Sequence, residues 1–220
     1  MQPYFETELG KLYHGNCLEI MPKLKTASLL LTDPPYGKNI AKTGFVGIKG
    51  VANPRKYISG NWDETAPNED AFKLMFDKSV NQIIFGGNYF TKFLPPKSCW
   101  LVWDKERVGD YFAACELIFT SFDIPCAKIK WRWHGMIQES KEIRVHPTQK
   151  PVGLVMWIIE KYGMDATSVL DPFIGSGTTA VACERLNRRW IGIEISEAYC
   201  EIAAKRITAE RQQLKLPGGF

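Results

Sequence analysis

Asp33-Pro34-Pro35-Tyr36 places a carboxylate, two proline carbonyls and an aromatic ring in four consecutive positions. Two prolines in a row cannot continue a strand's hydrogen-bond ladder, so the chain must leave a sheet at this point. The apolar run Leu29 to Leu31 just before it reads as a short buried strand, which sets the turn at that strand's carboxyl end. In an open α/β sheet that is where ligands bind. The chemistry on offer is recognition of a planar amine: Asp33 and the Pro34 carbonyl accept its two N–H bonds while Tyr36 stacks on its ring. Taken alone, the tetrapeptide reads first as a proline turn capped by an aspartate.

A second group of residues decides between those readings. Gly175-x-Gly177-x-x-Ala180 follows the apolar pair Val169-Leu170 and opens a helical stretch, as a nucleotide-binding glycine loop requires. In that fingerprint the first glycine makes a tight turn, the second lets a ligand approach the backbone, and the small third residue lets helix and strand pack. Glu194 stands 19 residues beyond Gly175, at the end of the next strand-like run, where a carboxylate takes both ribose hydroxyls of an adenosine. No lysine follows the glycines, which excludes a Walker phosphate loop. Asp171 in front of the loop disfavours a diphosphate and suits a ligand carrying an ammonium group. An adenosine with an amino-acid tail and no phosphate is S-adenosylmethionine.

The elements that must hold these turns follow from the pattern around them. Leu12-Tyr13, Leu29–Leu31, Ile83–Phe85, Trp100–Trp103, Ile118-Phe119, Ala127–Trp133, Val169-Leu170 and Trp190–Ile195 read as strands. Leu18–Leu24, a segment from Asn68 or Glu69 to Val80, Tyr89–Phe93, Val152–Tyr162, Ala180–Leu186 and a long terminal stretch capped by Ser196 read as helices. Such alternation predicts an α/β fold with a doubly wound, mainly parallel sheet. The alternating basic residues Lys128, Lys130 and Arg132 fit an edge strand blunted by charge as well as a nucleic-acid contact. From Lys38 to Asp63 the periodicity vanishes among glycines and basic residues, a length of loop that is functional or disordered.

Composition narrows the class. At 220 residues the chain is long enough for one substantial core. No apolar run approaches a membrane span and the first residues do not begin a signal peptide. Six scattered cysteines with no CxxC pair, and three dispersed histidines, predict free thiols and no metal site. A net charge of +4 permits a polyanionic partner without demanding one.

DPPY at 33–36, HPTQKP at 146–151 and DPFIGSGTT at 171–179, in that order, resemble the amino-methyltransferases of DNA. They are similar in particular to the permuted group whose catalytic motif precedes its cofactor motif. The likeness covers nearly the whole chain and implies one Rossmann-like methyltransferase domain over 1–220, with S-adenosylmethionine as cofactor. By position it implies that Asp33, Pro34, Pro35 and Tyr36 are catalytic, with Asp33 also beside the cofactor. Asp171, Phe173, Gly175, Ser176, Gly177, Thr178 and Thr179 would line the methionine side. Glu194 would take the ribose, Asn16 and Cys17 would sit near the adenine edge, and His146, Thr148, Gln149 and Lys150 would close over the cofactor. Tyr199 joins them on the cofactor side. The family commonly has Asp where this chain has Asn16, which implies a changed contact at that edge.

Segment 38–63 is expected to be a mobile, DNA-contacting insertion, with Lys42, Lys49, Arg55 and Lys56 on phosphates. Asp104–Gly109 and Gly135–Val145 are the other stretches available for reading a target site. In this family Asp at the first motif position usually accompanies adenine and Ser cytosine, so the expectation is adenine N6, with cytosine N4 the alternative. Enzymes methylating an RNA base or a protein glutamine share the PPY turn but normally carry the cofactor motif first. The resemblance implies double-stranded DNA as partner and a bacterial, archaeal or phage-infected cytoplasm as setting. Related enzymes are often homodimers and often work beside a cognate restriction enzyme; the sequence leaves both open, along with the target site.

Overall fold

The computed structural model describes residues 1–38, 45–46, 55–56, 63–106, 113–134, 137–138 and 142–214. Thirteen strands are present among them: β1 (Phe5–Glu6), β2 (Gly10–His14), β3 (Ala27–Thr32), β4 (Phe45–Val46), β5 (Arg55–Lys56), β6 (Ser79–Phe85), β7 (Trp100–Asp104), β8 (Cys115–Thr120), β9 (Ala127–Lys130), β10 (Trp133–His134), β11 (Ile137–Gln138), β12 (Ser168–Asp171) and β13 (Arg189–Glu194). Nine form one sheet in the order β1-β2-β13-β12-β3-β6-β8-β7-β9. Pairing is parallel from β2 through β13, β12 and β3 to β6. β8 runs antiparallel to both β6 and β7, β9 is parallel to β7, and β1 is antiparallel to β2. The sheet is therefore mixed and mainly parallel, as the alternation of strands and helices predicts.

Both faces of the sheet are covered, which is why β3 reads as a continuous apolar run rather than an alternating one. Leu29 and Leu31 enter one core with Val169 of β12 and Val152, Leu154, Val155, Ile158 and Ile159 of α3 (Val152–Tyr162). Leu30 enters the other, with Leu170, Ile84, and Phe72 and Met75 of α2 (Glu69–Asp77). Asn68 caps α2 through its side chain, which accepts from the Ala71 N–H at 3.1 Å. α1 (Cys17–Ile20) shares the second core, while α4 (Thr178–Arg185) and α5 (Glu197–Leu214) pack on the first. Removing a side chain such as Leu30, fully buried between strands, costs about 2–5 kcal/mol. No helix among the described residues is long and apolar enough to cross a membrane.

The last helix is fastened to the first strands through a buried carboxylate. Glu184 Oε1 accepts from the Thr7 hydroxyl at 2.6 Å and from the Trp190 indole N–H at 2.9 Å. Its Oε2 accepts from Arg211 of α5 at 2.9 Å, and Arg211 also stands 3.6 Å from Glu8.

Several sequence expectations need correction. Within 38–63 the chain is not featureless, because Phe45–Val46 pairs antiparallel with Arg55–Lys56. Lys42 and Lys49 lie outside the described residues, so the expected mobility of this segment is not addressed. Ala127–Trp133 is not one strand: β9 ends at Lys130, and Trp133–His134 turns off to pair with Ile137–Gln138. β9 is the sheet's edge, and its basic face is met by acids at the end of β7, with Lys128–Asp104 at 2.8 Å, Lys130–Glu106 at 3.3 Å and Arg132–Glu106 at 3.1 Å. A helix over Tyr89–Phe93 is replaced by a single 3-10 turn, Gly87–Tyr89, entered through Gly86 at φ 64°. A side chain at 86 would also put its Cβ 2.4 Å from the Tyr36 ring, so this glycine shapes the neighbouring site. β1 has only two residues, too few to show a period.

Candidate active site

A cavity of about 430 Å³ opens at the carboxyl ends of β2, β3, β12 and β13. The register explains why. β3 and β12 lie side by side with Leu29 opposite Val169 and Leu30 opposite Leu170, so both chains leave the sheet at the same level. One departs into Asp33-Pro34-Pro35-Tyr36 and the other into Asp171–Ser176, and both turns line the cavity. β13 adds Glu194 and β2 adds Gly15, Asn16 and Cys17. Thr32 and Asp171, 139 positions apart in sequence, thus share one small volume, at the place where open α/β sheets bind ligands.

Asp33 is half-buried, and both of its oxygens already have donors. Tyr36 gives its hydroxyl proton to Oδ1 at 2.6 Å, and Lys150 donates from Nζ to Oδ2 at 2.6 Å. Burial pushes the Asp33 carboxyl above its ordinary range, with the Lys150 ammonium pulling against that rise. Each carboxylate oxygen has a second lone pair, so the group retains acceptor capacity toward the cavity. The Tyr36 ring is not a bare platform: Tyr89 stacks on it at 4.6 Å with a 28° tilt. Tyr89 does not line the cavity; it backs the ring, and Lys38 donates to its hydroxyl at 2.6 Å.

At the second turn Asp171 is buried and heavily bonded. It accepts from Thr32 at 2.7 Å and the Phe173 N–H at 3.1 Å on one oxygen, and from Thr179 at 2.6 Å on the other. Burial raises its carboxyl to about 6 despite those bonds. It lines the cavity, where the ammonium of a ligand is expected, and the same bonds tie β3 to the glycine loop. Glu194 accepts one backbone N–H on each oxygen, from Gly175 at 2.9 Å and Ser196 at 2.8 Å, and keeps a lone pair on each. Burial lifts it to about 7.

Both glycines of the loop take positive φ, but their surroundings differ. Gly175, at φ 54°, faces the cavity side, where a Cβ would stand 3.7 Å from His146 Nε2. Gly177, at φ 85°, does not line the cavity; a Cβ there would meet Ala203 of α5 at 3.0 Å and its Cα at 3.2 Å. The space beside it is taken by α5, so its lack of a side chain lets the two helices pack. Ser176 and Thr178 line the cavity, and Arg206 of α5 clasps them, donating to the Ser176 carbonyl at 2.6 Å and its hydroxyl at 3.0 Å.

Of the turn at 146–150, His146, Thr148, Gln149 and Lys150 all line the cavity. His146 is held by Thr148 at its Nδ1, 3.1 Å from the hydroxyl, and packs on Tyr199 with ring centroids 4.4 Å apart. Burial, then the charges of Lys150 and Arg206, lower it to about 3, so the imidazole is neutral. Gln149 spends its amide on the loop, accepting from Val145 at 2.9 Å and donating to the Ile143 carbonyl at 3.3 Å. Tyr199 does not line the cavity and supports His146 from the core. Asn16 caps α1, its Oδ1 accepting from Leu18 at 3.0 Å, which leaves the amide NH₂ as the group for a ligand. Cys17 is buried, with its thiol pushed up to about 11 by that burial.

Some residues of this site have no sequence signal. Glu116 lies 3.3 Å from Lys150, yet it sits in the apolar strand Cys115–Thr120 and reads as one exposed position. Asp63 is buried at the cavity edge and accepts from the Gly37 N–H at 3.0 Å. Thr32, between the apolar run and Asp33, had a signal in its place beside the motif.

Residues 96–205 match the family model described as DNA methylase. The chain is 40% identical to the type II methyltransferase M.HpaI of Haemophilus parainfluenzae, over 91% of this chain and 74% of that one. It is 27% identical to the type II methyltransferase M.ScaI of Streptomyces caespitosus, over 97% of this chain and 86% of that protein. Among solved structures, the fold is similar to the PvuII cytosine-N4-specific DNA methyltransferase (TM-score 0.60, 16% identity, 97% and 95% of the two chains). It is also similar to M1.HpyAVI in complex with SAM (TM-score 0.54, 20% identity, 90% and 99% of the two chains). With its two turns meeting at one cavity and a relative this similar over most of its length, the chain belongs to the DNA methylase family.

Proposed function

We propose that this methylase moves a methyl group from S-adenosylmethionine to the exocyclic amine of a base flipped out of duplex DNA, with adenine N6 as acceptor. The observation that carries the reading is the shared cavity: the Asp33 turn and the Glu194–Gly175 pair open into one volume from neighbouring strands. The residues fit the cofactor. Glu194 keeps an acceptor on each oxygen for a ribose diol, and Asp171 supplies negative potential beside the loop. Among the described residues, the Arg206 guanidinium beside the glycine loop is spent on Ser176 rather than presented to a phosphate. Bound there, S-adenosylmethionine supplies an electrophilic methyl group on a sulfonium.

The protein's own part is positioning and placed charge. An exocyclic amine is a poor nucleophile because its lone pair is delocalised into the ring. Asp33 and the Pro34 carbonyl accept its N–H bonds and favour a tetrahedral nitrogen whose lone pair points at the methyl group. As positive charge develops on that nitrogen, the Asp33 carboxylate stabilises it, and the surplus proton leaves to solvent. Extruding the base costs roughly a few kcal/mol, and stacking on Tyr36 returns about 1–3 kcal/mol. Tyr89 keeps that ring from yielding.

Adenine is preferred because Asp stands first in the motif. Nucleoside analysis after incubating the protein with cofactor and duplex DNA is the test: N6-methyladenine is expected. N4-methylcytosine would move the acceptor to the other base, and product on RNA or a glutamine peptide alone would overturn the DNA reading. The basic residues Lys42, Lys49, Arg55 and Lys56 are proposed to meet phosphates, so neutralising all four should weaken DNA binding and flatten its salt dependence. Relatives named type II methyltransferases support a cognate restriction enzyme and a bacterial cytoplasmic setting. A homodimer is proposed from the family resemblance, in which related enzymes are often dimers, and sedimentation at working concentration would decide it.

A further inference from the structure

Lys150 ends the turn expected to close over the cofactor, but its ammonium is directed elsewhere. Nζ stands 2.6 Å from Asp33 Oδ2 and 3.3 Å from Glu116 Oε2, and its side chain is 8% exposed. Glu116 in turn receives Lys105 at 2.6 Å on its other oxygen. Asp33, Lys150, Glu116 and Lys105 form a row of alternating charge that runs from the catalytic turn to the antiparallel half of the sheet. The faces of Phe85, 5.2 Å from Nζ, and Tyr36, 5.8 Å away, complete the surroundings of the ammonium.

We infer that Lys150 is a positioning residue of methyl transfer, which holds the Asp33 carboxylate ionised and in place, and that Glu116 limits how much of that charge it cancels. The inference rests on the proposed amine-methylating role of Asp33. A protonated Asp33 would present a donor to the amine instead of an acceptor, and burial drives it toward that state. A lysine bonded to Asp33 alone would prevent protonation but would also neutralise the carboxylate that must meet a nitrogen becoming positive. Sharing the ammonium with Glu116 leaves Asp33, Lys150 and Glu116 with one net negative charge, which Lys105 offsets only from the far side of Glu116. The other groups facing Asp33 are the Tyr36 hydroxyl, which donates to it, and the Asp171 carboxylate behind Thr32. Lys105 acts from one residue further along the row.

The two partners should therefore move Asp33 in opposite directions, which a merely structural pair would not do. Carbon-13 titration of the Asp33 carboxyl in the free protein should show a higher pKa in Lys150→Met and a lower one in Glu116→Gln. The acid limb of kcat on duplex DNA should shift the same ways. Lys150→Met should lower kcat about 100-fold with cofactor affinity held within about threefold, and Lys150→Arg should recover part of the rate with the limb near its original place. If Lys150→Met does not fold, Lys150→Arg and Glu116→Gln still decide the matter. Lost cofactor affinity with unchanged kcat in Lys150→Met would return the residue to the cofactor. Shifts of the same sign in both variants, or none, would also overturn the inference. Failure of the unmodified protein to methylate any amine would show in kcat alone and would remove the parent reading together with this one.

Discussion

Tyr36 donates its hydroxyl proton to Asp33 across 2.6 Å, so the ring proposed to stack on a flipped base and the carboxylate proposed to meet its amine are one unit. From sequence, Tyr36→Phe should be mild, because it keeps the face. The bond reverses that expectation. A hydrogen bond to a charged group is worth about 1.5–3 kcal/mol, so Tyr36→Phe should lose about 10- to 100-fold in kcat. Tyr36→Ala should lose more and also release the base, read as lower fluorescence contrast from 2-aminopurine at the target.

Asp33→Ala should abolish methyl transfer while calorimetry still detects cofactor, since Glu194 and the glycine loop are held by their own bonds. It leaves Lys150 buried with Glu116 alone, and breaking such a buried pair costs about 3–5 kcal/mol. Asp33→Asn keeps the shape at lower cost in melting temperature and should still be badly impaired. An Asp33→Ala protein that folds, binds cofactor and methylates at a near-native rate would remove the centre of the mechanism.

Glu194 gives a pH signature. Burial lifts its carboxyl from 4.5 to about 7, so the fold favours the protonated form. The stability tied to this group is fully present below the unfolded value and is lost as pH rises through the folded one. Glu194→Gln should therefore flatten that stretch of the stability curve. Cofactor affinity should run the other way, because only the ionised group accepts both ribose hydroxyls freely. Below pH 7 it should weaken by up to about tenfold per unit. Affinity that does not vary across that range would separate Glu194 from the ribose.

Gly177→Ala tests helix packing against ligand approach. Its Cβ would press on Ala203 at 3.0 Å in a backbone conformation side chains avoid, so about 1–3 kcal/mol of stability should go. Cofactor affinity measured well below the melting temperature should change little by comparison. A variant with native melting and no binding would place this glycine against the ligand after all.

What the sequence makes legible is local. The strand before Asp33, the helix Val152–Tyr162 with its stated bounds, the start of α2 (though not its end at Asp77) and the glycine loop each depend on residues within one or two turns of one another. What it hides is direction. The spacing that marks Gly177 does not reveal that Ala203 of α5 stands against it. Tyr199 keeps helical spacing, yet its ring turns to His146 rather than the cavity. Lys150 reaches Asp33 across 117 positions, a pairing that only the meeting of β3 with the turn before α3 creates. Glu116 was invisible because one acid in an apolar strand looks like a solvated position.

The fastening of α5 to the first strands has a consequence for how such an enzyme is encoded. Thr7 and Arg211 share the Glu184 carboxylate, and Glu8 stands 3.6 Å from Arg211, so the two ends of the described chain run beside each other. A short linker from the end of α5 to β1 would close the polypeptide into a ring without moving the sheet. Reopened between Gly163 and Thr167, where α3 hands over to β12, that ring would deliver the cofactor loop before the catalytic turn and build the same cavity. The cavity depends on which strands lie side by side, and not on the order of the two turns along the chain.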